Sequence, residues 1–294
     1  MRKKLVCVLL IVLLFSQPVF ASELPAGAYV KIAVIDTGIS VEAINTGLIA
    51  EGYNYINENN DTDDKIGHGT AVAGIISGSL SPVLSEAATG IKLVPLVIQT
   101  MDENGNMQKG NTDLIARAIK EAIDIYGCSV INLSIGTTVE SASLSDAVEY
   151  AEEKNVVIIS PVGNKNAGNT DILYYPAAYP TVIGIGSVNK YGRVSDFSMR
   201  NNSLMLVAPG EKIWTVSKNG KAFLTSGTSY ATAFVSAAAS ALLYTCPELA
   251  ADEVRSILCE SATDILDTGY DIDSGWGILS TDKAMDMLKS GYTR

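Results

Sequence analysis

Histidine is all but missing from this chain: His68 is the only one in 294 residues. No Cys-x-x-Cys pair and no Cys/His cluster accompanies it, so nothing in the sequence points to zinc, which draws its ligands from such groups. Basic side chains are outnumbered, 21 Lys and Arg against 32 Asp and Glu, for a formal net charge of -11. A surface of that sign repels phosphate backbones, which excludes nucleic acid as a partner. Cysteine is sparse too. Cys7 lies in the N-terminal apolar run, leaving Cys128, Cys246 and Cys259, an odd number for an oxidising compartment. They are either buried free thiols or include one Cys246–Cys259 bridge. Only one long hydrophobic run occurs, Leu5 to Phe15, and no later segment is apolar enough to cross a membrane. Pro/Gly/Ser-rich or charge-rich linkers and internal repeats are lacking, which predicts one domain rather than two.

The apolar run has telling flanks. Arg2, Lys3 and Lys4 precede it, and Val19-Phe20-Ala21 follows it. That order reads as a secretory signal peptide over residues 1–21, cleaved after Ala21. The remaining chain, 22–294, is then secreted and extracellular, with no stable membrane insertion after cleavage. An uncleaved membrane anchor is the alternative, but the run is short for a span and Pro18 interrupts its end. Nothing in the sequence sets the oligomeric state.

Strand and helix signals alternate through the rest. Tyr29 to Ile35 is a β-rich run ending at Asp36, and Gly69 to Ile76 reads as a helix of small and apolar residues. Ile91–Ile98, Val130–Leu133, Val156–Ile159 and Thr181–Val188 read as strands. Thr112–Tyr126 repeats apolar residues at helical spacing, and Leu144–Asn155, Ala231–Tyr244 and Asp252–Ser261 complete the helices. Strands apolar on both faces, separated by helices, predict an α/β fold: three layers, a mostly parallel sheet with helices on both faces. Reactive groups in such folds gather at the carboxyl ends of strands and at helix N-termini. Asp36 and Asn164 follow strands, and His68 and Ser229 are expected just ahead of helices.

Three short segments carry chemistry: Asp36-Thr37-Gly38, Gly67-His68-Gly69-Thr70 and Gly227-Thr228-Ser229-Tyr230-Ala231. Each sets one polar group among small residues, which lets a substrate backbone approach closely. Serine is a poor nucleophile at neutral pH. An imidazole must take its proton, and a buried carboxylate must fix the tautomer of that imidazole and stabilise its charged form. An oxyanion donor is also needed, and Asn164 after its strand is the candidate, paired with the backbone N–H of Ser229.

With these segments in the order Asp–His–Ser, the chain resembles the subtilisin-like (subtilase, S8-type) serine peptidases from about Val30 to Leu279. Asn132-Leu-Ser-Ile-Gly136 and Gly275-Trp-Gly277 add to the resemblance. It implies that Asp36, His68 and Ser229 are the catalytic triad of an endopeptidase working through an acyl-enzyme, with Asn164 stabilising the oxyanion. It further implies that Ser134, Ile135 and Gly136 hold a peptide or protein substrate as an added strand, and that Pro161, Val162 and Gly163 wall the pocket for the side chain before the scissile bond. No cofactor is required.

The chain departs from the family's pattern in places. No propeptide fits between Ala21 and Asp36. Tyr230 stands where methionine is frequent, so no thioether adjoins the nucleophile. Pro161 and Val162 are bulkier than the usual alanines, which predicts a narrower pocket. The family's calcium loop is not visible in Ser77–Thr89. The acidic stretch Asn57–Asp64 offers oxygen ligands for a structural calcium ion, or is a solvated loop. Two other functions compete. A second Asp-Thr-Gly, Asp267 to Gly269, would allow paired carboxylates sharing a proton, as in aspartic peptidases. A catalytically silent binding protein on the same fold is the other alternative.

Overall fold

The alternation of apolar runs becomes alternation of strand and helix in the computed structural model, which describes residues 29–80, 90–165 and 172–292. The leader, 1–21, and most of the 77–89 segment lie outside those residues. Among the described residues eleven strands are formed: β1 (Val30–Asp36), β2 (Tyr53–Asn54), β3 (Ile91–Val97), β4 (Gln99–Met101), β5 (Met107–Lys109), β6 (Val130–Leu133), β7 (Val157–Pro161), β8 (Ile183–Val188), β9 (Leu206–Pro209), β10 (Ile213–Val216) and β11 (Ala222–Thr225). The helices among those residues are α1 (His68–Ile76), α2 (Thr112–Asp124), α3 (Ala142–Glu153), α4 (Thr228–Thr245), α5 (Ala251–Glu260) and α6 (Thr281–Lys289).

Seven strands make one parallel sheet in the order β2-β3-β1-β6-β7-β8-β9. Its strands are apolar on both faces because both faces are covered. Along β1, Ile32 and Val34 join the core formed with α1, α4, α5 and α6, while Ala33 and Ile35 join the core formed with α2 and α3. The period of two in the strand thus divides one sequence between two hydrophobic layers. Burying a side chain such as Ile35 in this way is worth about 1.5–3 kcal/mol. Arg255 of α5 grips Glu152 of α3, ahead of β7 in the chain, with both Nη atoms, at 2.7 and 3.3 Å, and donates to the Thr181 carbonyl, ahead of β8, at 2.7 Å.

The helix starts differ from expectation. His68 and Ser229 lie inside the first turns of α1 and α4, not ahead of them. Both helices begin at a glycine N-cap, Gly67 and Gly227, with no side-chain cap bond, so the sequence lacks the usual Ser/Thr/Asp start signal. The strand β9, the two hairpins β4–β5 and β10–β11, and α6 have no counterpart among the predicted elements. They are short, and the hairpin strands are partly exposed, which leaves little apolar pattern to read. Among the described residues no helix is long and apolar enough to cross a membrane.

Cys128, Cys246 and Cys259 are all free thiols, the first two buried. Burial pushes the Cys128 thiol up to about 12, against the pull of nearby Lys31. Since the thiolate is the reactive form, Cys128 stays unmodified by iodoacetamide near pH 8 in the native protein and reacts once guanidinium unfolds it. Peptide mass mapping of the two samples checks this; native alkylation of Cys128 would contradict its burial.

Candidate active site

The site forms where the sheet changes direction, between β1 and β6, whose chain neighbours lie on opposite sides. Clefts for ligands open at such switch points, beyond the carboxyl ends of the strands. Asp36 ends β1 and is fully buried. Its Oδ1 and Oδ2 lie 2.8 and 3.0 Å from His68 Nδ1, and Oδ1 also accepts the Thr37 N–H at 2.7 Å. A carboxylate only accepts. The imidazole proton therefore sits on Nδ1, leaving Nε2 as a free base on a side chain that is 29% exposed.

Close backbone contact makes this bond. A Cβ on Gly69 would stand 2.3 Å from the Gly38 carbonyl oxygen, so only glycine lets α1 approach the Asp36 turn so nearly. Thr37 Oγ1 accepts the Gly69 N–H at 2.8 Å. Asp64, itself buried, holds the other side. It accepts from the N–H groups of Ile66, Gly67 and Thr70 and from the Thr70 hydroxyl, at 2.7–2.9 Å. A carboxylate at the positive end of a helix is favoured by the helix dipole, and Asp64 thereby fixes the turn that delivers His68.

Ser229 enters from α4. Its Oγ donates to the Ser134 carbonyl at 3.0 Å. A hydroxyl has one proton, so in this rotamer that proton is turned to Ser134 and not to His68. Ser134 Oγ has Asn132 Oδ1 at 2.8 Å and the Ser229 carbonyl at 3.2 Å as alternative acceptors for its one proton, and the Asn132 amide donates to Ser236 Oγ at 2.9 Å. These bonds bolt the start of α4 to β6. The ring of Tyr230 lies 5.5 Å from that of His68, tilted by 46°. Asn164 is exposed and follows β7. Its Oδ1 accepts the N–H and hydroxyl of Thr228, at 3.0 and 3.1 Å, which holds the side chain against the start of α4.

A cavity of about 260 Å³ opens beside Ser229. Ser134, Gly136, Pro161, Gly163 and Asn164 line it, with Tyr174 and Thr228. One of the expected wall residues lies elsewhere: Val162 is fully buried in a cluster with Ala177, Met199 and Leu204. Ile135, expected to hold substrate as part of an added strand, packs its side chain on the α2–α3 core. Asn132, Asp64, Thr228 and Tyr174 join the site without having been singled out. Asn132, Asp64 and Thr228 stand inside or beside quoted segments, whereas Tyr174 has no sequence signal.

Part of the acidic stretch before His68 is engaged by its own neighbours. Asp61 and Asp63 reach Lys65 at 3.6 and 2.8 Å, and Asp64 is used as above. Among the described residues no group of three or more His, Cys, Asp and Glu side chains could hold a metal ion. Nor does Asp36 meet a second carboxylate. It faces His68, while Asp267 is exposed on the loop after α5, so the paired-carboxylate reading has no partner for Asp36.

Comparison with known proteins agrees with this geometry. The model of the subtilase family matches residues 27–277. A thermophilic serine proteinase of Bacillus sp. (strain AK1) is 35% identical over 72% of this chain, which spans 51% of that protein. Thermitase of Thermoactinomyces vulgaris is 31% identical over 85% of this chain and 86% of its own. The crystal structure of fervidolysin from Fervidobacterium pennivorans, a keratinolytic enzyme related to subtilisin, superposes with a TM-score of 0.76 at 28% identity, covering 88% of this chain and 43% of that one.

Burial alone would lower the pKa of His68, but the charge and hydrogen bond of Asp36, with the charge of Asp64, outweigh it and raise the value above the ordinary 6.5. A raised value means that the ring gains its proton at a higher pH than a free histidine does. As the only histidine, His68 gives a single pair of imidazole C–H signals in proton NMR. Its titration midpoint lies above 6.5 in the native protein, and Asp36→Asn moves it down. A midpoint unmoved by that substitution would show that Asp36 does not govern the ring.

Proposed function

Because this chain belongs to the subtilase family of serine endopeptidases, we propose that it is a secreted endopeptidase that cuts peptide or protein substrates with Ser229, His68 and Asp36. The observation that carries the reading is the fully buried Asp36 carboxylate held 2.8 Å from Nδ1 of the only histidine. That bond leaves Nε2 free to take a proton from a nucleophile.

Ser229 Oγ attacks the scissile carbonyl carbon, and His68 Nε2 takes the hydroxyl proton. Asp36 holds the ring and offsets the charge it gains. The carbonyl oxygen becomes an oxyanion facing the Asn164 amide and the N-terminus of α4, where preset donors need no reorganisation. His68 then returns the proton to the leaving amine, and water releases the acyl group by the same route. The substrate main chain lies along Ser134–Gly136 as an added strand. A substrate N–H that takes over the Ser134 carbonyl displaces the Ser229 hydroxyl from it and frees its proton for His68. No organic cofactor takes part. The polar segment Arg2–Lys4, the apolar run and Val19-Phe20-Ala21 support export of a single domain, 22–294.

A fluorophosphonate labels the wild-type protein at Ser229, whereas a silent binding protein would not react. Ser229→Ala abolishes labelling and lowers kcat about a millionfold with the fold retained by circular dichroism, the loss the same change causes in subtilisin, itself a subtilase. Asn164→Ala lowers kcat about 10²–10³-fold with KM little changed, again the value known for subtilisin. A kcat within about twofold of wild type would remove Asn164 from the oxyanion role. N-terminal sequencing of the exported protein reads Ser22 first; a form retaining residues 1–21 contradicts the leader.

A further inference from the structure

We infer that Tyr174 restricts the pocket beside Ser229, so that the substrate residue before the scissile bond must be small, of the Gly, Ala or Ser class. The inference rests on the peptidase reading above and gives it a substrate class.

The pocket lies between the segments after β6 and β7, and its facing walls are glycines. A Cβ on Gly163 would stand 2.4 Å from Tyr174 Cδ2, and one on Gly136 would stand 3.3 Å from Tyr174 Cδ1. The phenol ring therefore touches both walls and occupies the gap that a substrate side chain would enter. Gly163, at φ +101°, is where the chain turns to present Asn164, and its missing side chain is the space the ring uses. Val162 does not do this narrowing, since its side chain is committed to the core.

The backbone that carries the ring is tied down on both sides. The Tyr175 N–H donates to the Thr137 carbonyl at 2.8 Å, and the Thr137 N–H returns a bond to Tyr175 at 3.0 Å. The Tyr174 carbonyl accepts from the Ala178 N–H at 2.9 Å. The side chain packs on the cluster of Val162, Ala177, Met199 and Leu204. What remains is about 260 Å³, and that space is shared with the substrate backbone and the developing oxyanion. An aromatic ring placed between the two glycine walls would need the position that the Tyr174 ring already holds, whereas a methyl group would not.

The test uses two chromogenic peptides that differ only in Ala or Phe before the scissile bond, with active sites counted by fluorophosphonate titration. Per titrated site, wild-type kcat/KM favours Ala by about tenfold or more, the scale on which an apolar pocket separates side chains by size. Tyr174→Phe keeps the ring and keeps this ratio. Tyr174→Gly removes it and reverses the ratio toward Phe. Equal cleavage of both peptides by wild type, or an unchanged ratio in a Tyr174→Gly protein that still titrates, would overturn the assignment. Should Tyr174→Gly fail to fold, the wild-type ratio decides alone. Wild-type protein that neither titrates nor cuts either peptide refutes the peptidase reading instead.

Discussion

Asp36 is wholly removed from solvent, and an ionised carboxylate in that position costs several kcal/mol unless its oxygens are bonded. The surrounding chain is organised to meet that demand. The Thr37 N–H takes part of one oxygen, and His68 serves both. The imidazole must therefore stand within bonding reach of the end of β1, which requires α1 to pass almost in backbone contact with the turn after it. Gly69 permits that approach, Gly38 lets the Thr62–Asp64 backbone close over the same turn, and the Thr37 hydroxyl and the Asp64 carboxylate hold it. Fixing the base is thus largely a consequence of solvating one buried charge.

The nucleophile's side of the cleft follows another logic. Ser229 sits in the first turn of an 18-residue helix that is mostly small residues and is buried over much of its length. That helix packs across β6 to β9 and onto β1, and Asn132 and Ser134 tie its start to β6. Base and nucleophile are carried by separate elements, each anchored to a neighbouring strand of one sheet, so their separation is set by the strand spacing. Such placement on rigid elements holds a reacting geometry better than loops do.

Much of this was legible in the chain. Runs such as Ile32–Ile35 and Val156–Ile159, apolar at every position, gave away a sheet covered on both faces, and Asp36, His68 and Ser229 stood out within short segments that each carry a glycine. What escaped was set by tertiary contact. Val162 looked like a pocket wall from its place beside Gly163, but successive side chains in and after a strand point to opposite faces, and its side chain turned into the core. Tyr174 reads as an ordinary loop residue; only the folded chain brings it against two glycines from distant segments. The helix starts were misplaced because a glycine N-cap has no side-chain signature, and β10 and β11 because half-exposed strands carry weak alternation.

The fork of Arg255 on Glu152 and the Thr181 carbonyl links helices that belong to opposite layers. Each layer has its own hydrophobic core and could in principle loosen by itself. A two-pronged ionic link of this kind is directional as well as attractive, and neither of its side chains is more than 29% exposed. It stitches the rim of the sandwich so that slippage of one helical layer over the sheet is resisted by the other. Disturbance in either core is then shared across the whole molecule, which favours cooperative melting over piecemeal fraying.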